Sequence, residues 1–290
     1  MDCDLKFIYA GNRSTVLRGM LSDGLHVAHV FPVAGSWLHR EMAELAIPYT
    51  PVLKKADVID GIRACRFDVL VSTGLPFILP ISELKAEIPG GRFVNVHPSF
   101  LPDLRGADPI PGAILYRRDT GVTCHLMDDG VDTGPILHQE FIPYFDGLDA
   151  KLLYHLAFRL EPQVFRMALA KGFLPITQQP TPTGLVYYSF KPQQLAIDLN
   201  QSNEEVVSRV RAFNTPSKGA SIFIRDQTHR VFAASIIEKP EIVRTYESTG
   251  LNQIAAIFED SVLVRRQDSL LWLKEITPRP PQTALGTSLF

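Results

Sequence analysis

Two polar residues interrupt the apolar stretch at residues 93–97, and their spacing places them on one face of a strand. Asn95 and His97 are two positions apart, so their side chains point to the same side of a strand and the valines beside them to the other. Pro98 disfavours helix at His97 and favours extended backbone at the strand end. Polar side chains on such a strand need hydrogen-bond partners or a chemical role. The pair is therefore either structural or part of a reactive site.

A second segment supplies a carboxylate. The strand-like run 121–127 is followed by the acidic, glycine-rich loop Asp-Asp-Gly-Val-Asp-Thr-Gly at 128–134. Its glycine comes too early for a calcium loop and no glutamate occupies the twelfth position, so we predict no metal site. A carboxylate near a strand-end histidine orients the imidazole, and we expect it to raise the pKa of that histidine.

An amide, an imidazole and a carboxylate together suit attack of an amine on an acyl carbon. An asparagine amide and a protonated imidazole can donate hydrogen bonds to the oxygen that becomes negative. A histidine–carboxylate pair or a bound water can take the proton that the amine loses. No G-x-S-x-G motif is present. Cys124 alternates with His125 along its strand, so we interpret it as core filling rather than a nucleophile.

The first half of the chain alternates strand-like and helix-like patterns. This order predicts a Rossmann-like α/β domain with a mostly parallel sheet, whose ligands bind beyond the carboxyl ends of the strands. The turn after the first predicted strand contains a single glycine, Gly11, and no G-x-G-x-x-G, so a dinucleotide site is disfavoured. The predicted strands are 5–9, 26–33, 68–72, 93–97 and 121–127, and the predicted helices are 15–21, 37–45, 58–65 and 149–171.

The last third of the chain has a different pattern. A stretch rich in proline, threonine and glutamine at 175–184 marks a boundary. Beyond it, one helical segment (203–213) precedes five short strand-like runs between 220 and 276, which predict a small β-rich domain of the OB type. We therefore predict a catalytic domain at 1–175, a linker at 176–200 and an OB-like domain at 201–290.

Charge and cysteine usage limit the partners and the location. With 29 basic and 31 acidic residues, the chain has no general attraction to nucleic acid or to an anionic membrane. The N-terminus lacks the pattern of a secretory signal, and no apolar run has the length of a membrane-spanning helix. Cys3, Cys65 and Cys124 are far apart and odd in number, as in reduced cytosolic proteins. We expect a cytoplasmic protein. The sequence leaves its oligomeric state open, and a homodimer is one of the options.

The motifs above resemble those of the folate-dependent formyltransferases, the group that contains methionyl-tRNA formyltransferase, sugar-nucleotide N-formyltransferases and glycinamide ribonucleotide transformylase. The matching stretches are Asn95-Val-His97-Pro-Ser-Phe-Leu-Pro102, Arg105-Gly106 and Gly130-Val-Asp132-Thr-Gly134, with the aspartate 35 positions after the histidine. The C-terminal part resembles the OB-like appendage of this family more weakly.

The resemblance implies a set of site residues. Asn95 and His97 would polarise the formyl group of 10-formyltetrahydrofolate, and Asp132 would tune His97. The backbone of the 74–80 loop would hold the pterin ring. The residues implied to line the folate pocket are Phe77, Ile78, Leu79, Ser99, Phe100, Leu101, Pro102, Asp128, Asp129, Gly130 and Val131.

The acceptor amine is left open by the resemblance. Methionyl-tRNA formyltransferases carry a Lys/Arg-rich insertion after the second strand, whereas residues 31–42 hold a single arginine. Residues 184–290 contain 12 Lys/Arg and 11 Asp/Glu, where tRNA binding favours an excess of cations. We therefore expect a small amine, such as a nucleotide-linked amino sugar. The alternatives are methionyl-tRNA formylation, hydrolysis of the same folate to formate, and a non-catalytic folate-binding module.

Overall fold

The structure is a computed structural model that describes residues 5–180, 184 and 187–289. Two compact units are present: one comprises Met1–Pro109, Asp119–Pro143 and His155–Ser189, and the other Ile110–Arg118, Tyr144–Tyr154 and Phe190–Phe290. Cys3 and residues 181–183 and 185–186 of the predicted linker lie outside the described residues. The domain boundaries at residues 175 and 200 stay a prediction.

The first unit is built on a six-stranded sheet with the strand order β2-β1-β3-β4-β5-β6. The first four of these strands pair in parallel, and β5 and β6 are added antiparallel. The prediction of a mostly parallel Rossmann-like sheet is confirmed. The strands are β1 (Lys6–Gly11), β2 (His26–Pro32), β3 (Val69–Thr73), β4 (Arg92–His97), β5 (Thr120–Leu126) and β6 (Ile136–Ile142).

Helices follow or separate these strands and bury apolar faces. On one side, Val58 and Ile62 of α3 pack in a cluster with Ile8 and Leu70 from the sheet. Elsewhere in the unit, Phe7 of β1 meets Phe165 of the long helix α6 edge to face, with ring centroids 6.3 Å apart. The helices are α1 (Thr15–Ser22), α2 (Trp37–Leu45), α3 (Lys55–Ala64), α4 (Ile81–Glu87), α5 (Pro109–Leu115) and α6 (Ala150–Ala170).

The parallel pairing brings the carboxyl ends of three strands to one edge of the sheet. Gly11 at the end of β1 is in register with Thr73 of β3, and Ser72 with Asn95 of β4. The turn after β1 is fixed there, because the Asn12 N–H donates to the Thr73 carbonyl at 3.0 Å. Asn95 and the loops after β1 and β3 thus share the edge where open α/β sheets bind ligands.

The second unit contains a five-stranded antiparallel sheet with the order β7-β8-β11-β10-β9. Helix α7 (Asn203–Phe213) begins with a capping box, in which Ser202 and Glu205 satisfy each other's backbone N–H groups. The prediction of a β-rich C-terminal domain is confirmed. The remaining elements are β7 (Ala220–Ile224), β8 (Gln227–Ile237), α8 (Pro240–Arg244), β9 (Ile254–Phe258), β10 (Ser261–Arg265) and β11 (Leu270–Thr277).

Within the described part of the chain, every helix is too short or too polar to cross a lipid bilayer.

Candidate active site

A cavity of about 380 Å³ opens at the carboxyl edge of the first unit's sheet, and its volume lies in the range of small-molecule sites. Asn95, His97 and Asp132 all line it. The loop after β1, the loop after β3 and the acidic loop between β5 and β6 form much of the wall. Other lining residues are Asn12, Arg13, Ser72, Gly74, Leu75, Pro76, Pro98, Gly106, Ala107, Pro109, His125, Met127 and Tyr187.

The predicted amide, imidazole and carboxylate converge in this cavity. The Asn95 Nδ2 donates to Asp132 Oδ1 at 3.2 Å, and His97 Nδ1 lies 3.6 Å from Asp132 Oδ2. The Gly106 N–H donates to the same Oδ2 at 2.9 Å. Since Asp132 comes from the acidic loop and the other two from β4, the sheet and the loop together assemble the group.

The hydrogen bonds of His97 determine which ring nitrogen carries the proton. Nε2 lies 2.9 Å from the Leu104 carbonyl oxygen, which can only accept, so Nε2 must donate. In the neutral imidazole, Nδ1 therefore bears the lone pair and faces the Asp132 carboxylate. Two proton acceptors thus face each other across the 3.6 Å gap.

Asp132 raises the pKa of His97, as expected, but the net shift of this pKa is downward. Burial lowers this pKa from its usual 6.5 more than the charge of Asp132 and the bond to Leu104 raise it, and His125 and Arg13 lower it further. The His97 side chain is only 7% exposed, so desolvation of the imidazolium dominates. His97 is consequently neutral near pH 7.

For Asp132, the attraction of neighbouring groups outweighs the effect of burial on the pKa. Burial favours its protonated form, but the positive charges that His97 and His125 carry when protonated, a hydrogen bond from His125 and the Gly106 N–H outweigh burial, so the pKa of Asp132 lies far below its usual value. The residue adopts a left-handed backbone conformation with φ +52°, which is uncommon outside glycine but tolerated by aspartate. The carboxylate is therefore ionised at neutral pH.

His125 is a site residue that sequence reasoning did not identify. It stands opposite Asn95 in the antiparallel β4–β5 register. Its Nδ1 lies 2.8 Å from the Leu126 carbonyl, so Nδ1 donates and Nε2 accepts the second Asn95 Nδ2 hydrogen at 3.0 Å. Both N–H groups of the Asn95 amide are thus engaged, one by Asp132 and one by His125. The register that creates this contact is not visible in the sequence.

Six of the residues predicted to bind folate line the cavity. The loop after β3 contributes an apolar wall, and the acidic loop contributes the facing one. Asp128 shapes the acidic loop, because its Oδ1 accepts from the Gly130 N–H at 3.1 Å and the Thr133 hydroxyl at 2.6 Å. The six residues are Phe77, Ile78, Leu79, Asp128, Gly130 and Val131.

The other five predicted folate residues do not line this cavity, and four of them have contacts elsewhere. Ser99 is buried and donates to the Asp103 carbonyl, and the Leu101 N–H donates to the Thr123 hydroxyl. Asp129 accepts from the Ser82 N–H at the start of α4. Phe100 meets Phe141 edge to face, and Pro102 follows Leu101 in this same turn. The 99–102 turn shapes the backbone behind His97.

Arg13 is a second lining residue without a predicted role. Its guanidinium pairs with Glu161 of α6 at 2.7 Å and reaches the Val96 carbonyl between Asn95 and His97 at 3.3 Å. Its position directly after the first strand could have identified Arg13 as a site residue, because ligands of α/β sheets bind beyond the carboxyl ends of the strands.

Among the described residues, no group of three histidine, cysteine or acidic side chains has the arrangement of a metal site. Cys124 is fully buried, and burial raises the pKa of its thiol. A thiol with a raised pKa is a poor nucleophile. Its environment is that of a core residue.

Comparison with protein families gives two adjoining matches. The family model described as formyl transferase matches residues 28–169, and the formyl transferase C-terminal domain matches 189–288. The methionyl-tRNA formyltransferase of Dechloromonas aromatica (strain RCB) is 31% identical over 252 residues, covering 80% of each chain. That of Variovorax paradoxus (strain S110) is 31% identical over 267 residues, or 91% of this chain and 79% of the relative.

Solved structures share the fold at low identity. WlaRD, a sugar 3N-formyl transferase solved with dTDP and 5-N-formyl-THF, aligns with a TM-score of 0.71 at 19% identity, covering 95% of this chain and 99% of that one. The N-formyltransferase from Helicobacter canadensis, in complex with folinic acid and dTDP-3-aminofucose, gives 0.68 at 17% identity, covering 93% and 98%. The two family matches and the relatives at 31% identity show that this chain belongs to the formyltransferase family of folate-dependent transferases.

Proposed function

We propose that this protein transfers the formyl group of 10-formyltetrahydrofolate to the primary amine of a small acceptor, with Asn95, His97 and Asp132 acting at the reacting carbonyl. The observation that carries the proposal is the convergence of these three side chains on one cavity of about 380 Å³. In the transfer, the amine nitrogen bonds to the formyl carbon, the bond from that carbon to N10 breaks, the amine loses a proton to His97, and the leaving N10 takes up a proton, so that tetrahydrofolate is released neutral at N10.

His97 is the proton acceptor in this proposal. Burial keeps the imidazole neutral, and its bond to Leu104 leaves the Nδ1 lone pair facing Asp132. An amine bound at the 3.6 Å gap between Nδ1 and Oδ2 donates to both. As the amine attacks, its proton passes to Nδ1, and the Asp132 carboxylate stabilises the resulting imidazolium.

Asn95 is the donor to the oxygen that becomes negative. In the free protein its two N–H groups are held by Asp132 and His125, at 3.2 and 3.0 Å. We propose that the longer bond, to Asp132, is exchanged for the formyl oxygen when substrate binds. A donor of this kind contributes about 3–4 kcal/mol to transition-state stabilisation, roughly a hundredfold to a thousandfold in kcat.

The folate binds, in this proposal, between the 75–79 segment and the acidic loop. Leu79 is buried and anchors the segment, whereas Ile78 is 53% exposed and offers an apolar surface to a planar ring. Phe77, Leu79, Asp128, Gly130 and Val131 complete this subsite. Ser99, Phe100, Leu101, Pro102 and Asp129 act behind it, through backbone support rather than contact.

A nucleotide-linked amino sugar is the acceptor class that we propose. The near-neutral charge of residues 184–290 and the single arginine at 31–42 disfavour a large polyanion. One of the similar solved structures is named a sugar 3N-formyl transferase and was solved with dTDP, and another is an N-formyltransferase in complex with dTDP-3-aminofucose. A small acceptor also suits a cavity of this volume.

Methionyl-tRNA formylation is the second candidate, favoured by the names of the full-length relatives at 31% identity. Both candidates use the same carbonyl chemistry and differ in the size and charge of the acceptor.

The test is a formyl-transfer assay with purified protein and 10-formyltetrahydrofolate. A panel of nucleotide-linked amino sugars and aminoacylated initiator tRNA serve as acceptors, and mass spectrometry detects the N-formyl product. His97→Ala is compared with His26→Ala, a control at an exposed histidine at the start of β2.

Each outcome has a definite meaning. Formylation of an amino sugar that His97→Ala abolishes and His26→Ala retains supports the proposal. Formylation of tRNA alone, with an affinity that falls steeply as salt rises, replaces it with the second candidate. Formate release without any formylated amine identifies a hydrolase and refutes the transfer reaction.

A further inference from the structure

The segment after helix α6 runs back along the edge of the sheet and reaches the acidic loop. Ile176 and Thr177 form an antiparallel bridge with Ile136 of β6, with two backbone hydrogen bonds of 2.9 Å each. This bridge places Gln179 beside the loop that carries Asp132. Residues 176–179, the start of the predicted linker, belong to the first unit, and the bridge to β6 fixes the backbone at Ile176 and Thr177.

Gln179 binds the backbone on both sides of residue 133. Its Nε2 donates to the Asp132 carbonyl at 2.7 Å and to the Gly134 carbonyl at 2.8 Å. Both hydrogens of the amide are used, and both acceptors belong to the turn in which Asp132 takes its left-handed conformation. Gln179 thus fixes the backbone from which the Asp132 carboxylate projects.

Arg105 fixes the orientation of the Gln179 amide. Its Nε and Nη2 donate to Gln179 Oε1 at 3.2 and 2.6 Å. A guanidinium can only donate and the two carbonyls can only accept, so the amide has a single favourable orientation. The next residue, Gly106, donates its N–H to the Asp132 carboxylate, so the 105–106 segment and Gln179 hold Asp132 through its side chain and its backbone.

We propose that Gln179, oriented by Arg105, is a positioning residue that holds the Asp132 carboxylate in register with His97 and Asn95 for formyl transfer. The expected effect on kcat rests on the proposed function. The expected effect on the position of the Asp132 carboxylate does not. We call the two hydrogen bonds from Gln179 to the Asp132 and Gly134 carbonyls the clamp. Misplacing a reacting group by about 1 Å can cost on the order of a hundredfold in rate, so loss of the clamp should affect kcat more than KM.

The test uses three variants of neighbouring glutamines. Gln179→Ala removes the clamp. Gln179→Glu keeps an acceptor for Arg105 but loses both donors to the carbonyls. Gln178→Ala is the matched control, because Gln178 is exposed and accepts the Thr177 hydroxyl hydrogen bond with its backbone carbonyl, which the substitution retains. We expect both Gln179 variants to lose about tenfold to a hundredfold in kcat, KM to change less than threefold, and Gln178→Ala to behave as wild type.

A second readout is independent of turnover. The titration of His97, followed by its imidazole NMR signals and assigned with His97→Ala, reports the distance to the Asp132 charge. The charged groups that act on His97 are Asp132, His125 and Arg13. The Asp132 carboxylate raises the His97 pKa, so its withdrawal in Gln179→Ala should move the titration to lower pH. The carboxylate introduced by Gln179→Glu opposes this shift, so the titration is compared between wild type, Gln179→Ala and Gln178→Ala.

These two readouts separate the possible failures. Wild-type kcat in both Gln179 variants, or an unchanged His97 titration, overturns the positioning role. A fall in kcat that is accompanied by a fall in melting temperature, without a shift of the His97 titration, also overturns the positioning role. General destabilisation then explains the loss of activity. Absence of formyl transfer by the wild type refutes the proposed function alone, and the titration still decides the role of Gln179.

Discussion

Replacing Glu161 with leucine tests whether Glu161 compensates the charge of Arg13 beside the site. The Glu161 side chain is 0% exposed and that of Arg13 is 16% exposed, and they are joined at 2.7 Å. Without Glu161, the guanidinium keeps a 3.3 Å contact to the Val96 carbonyl and the face of Phe158 at 5.0 Å. The Thr15 hydroxyl loses its acceptor as well. The variant therefore leaves a buried charge without its counter-ion.

The expected magnitude follows from that uncompensated charge. Removing one partner of a buried ion pair costs about 3–5 kcal/mol. At about 2–4 °C per kcal/mol for a domain of this size, the melting temperature should fall by roughly 6–20 °C. Replacing both partners with apolar side chains removes the charge itself, so Arg13→Met combined with Glu161→Leu should cost much less than Glu161→Leu alone.

Urea unfolding followed by circular dichroism measures these differences in the free energy of unfolding. The control is Glu44→Leu on α2, because Glu44 is 74% exposed and its pair with Arg18 should contribute less than about 1 kcal/mol. If Glu161→Leu costs under about 1 kcal/mol, or if the double variant costs as much as the single variant or more, an uncompensated Arg13 charge is not the source of the loss.

Three further predictions concern the reacting groups. His125→Phe removes the acceptor for one Asn95 N–H at 3.0 Å, so kcat should fall about tenfold with KM for folate nearly unchanged in steady-state assays; an unaltered kcat would exclude a role for this contact. Asp132→Asn removes a charge that raises the pKa of His97, so the acid limb of the pH–kcat profile should move to lower pH, and a move to higher pH would contradict the assignment of His97 as the base. Gly106→Ala should lower both stability and kcat in unfolding and rate assays, because a Cβ would lie 2.5 Å from the Tyr187 ring at a φ of +98°; normal values for both would show that the backbone shifts without cost.

The pH dependence of stability follows from the same two groups. The folded-state pKa of His97 is lower than its usual 6.5, so the folded protein binds fewer protons than the unfolded chain as the pH falls through that value. The contribution of His97 to stability is then lost from about pH 6.5 downward. Asp132 adds a loss at still lower pH, since its pKa is depressed from 3.8 and its stabilisation disappears as the carboxylate is protonated.

The local sequence pattern predicted the strand that carries Asn95 and His97, because alternation along a strand determines which side chains share a face. It also predicted the parallel sheet, since strands separated by helical patterns favour that arrangement. The position of Asp132 in the site came from the resemblance to a family rather than from spacing. The contact between Asn95 and His125 required the antiparallel register of β4 and β5, which no local pattern determines.

Burial and long-range contacts account for the features of the site that the sequence did not reveal. The sign of the His97 shift depends on desolvation against the attraction of Asp132, and neighbouring residue types reveal only the second. Ser99 and Leu101 were assigned to the pocket by the resemblance to the family; both are buried and neither lines the cavity, so their role toward folate stays a prediction. Gln179 lay within a segment predicted as linker, and its role depends on a bridge to β6 that brings distant parts of the chain together.

Single-turnover formyl transfer by Asn95→Ala and His97→Ala, measured together with the affinity for the folate, tests the central claim most directly. Both groups act mainly when the carbonyl carbon is attacked, so each variant should transfer at least about a hundredfold more slowly while binding folate within threefold of wild type. Transfer at near wild-type rates in either variant would show that the group in question is not part of the reaction.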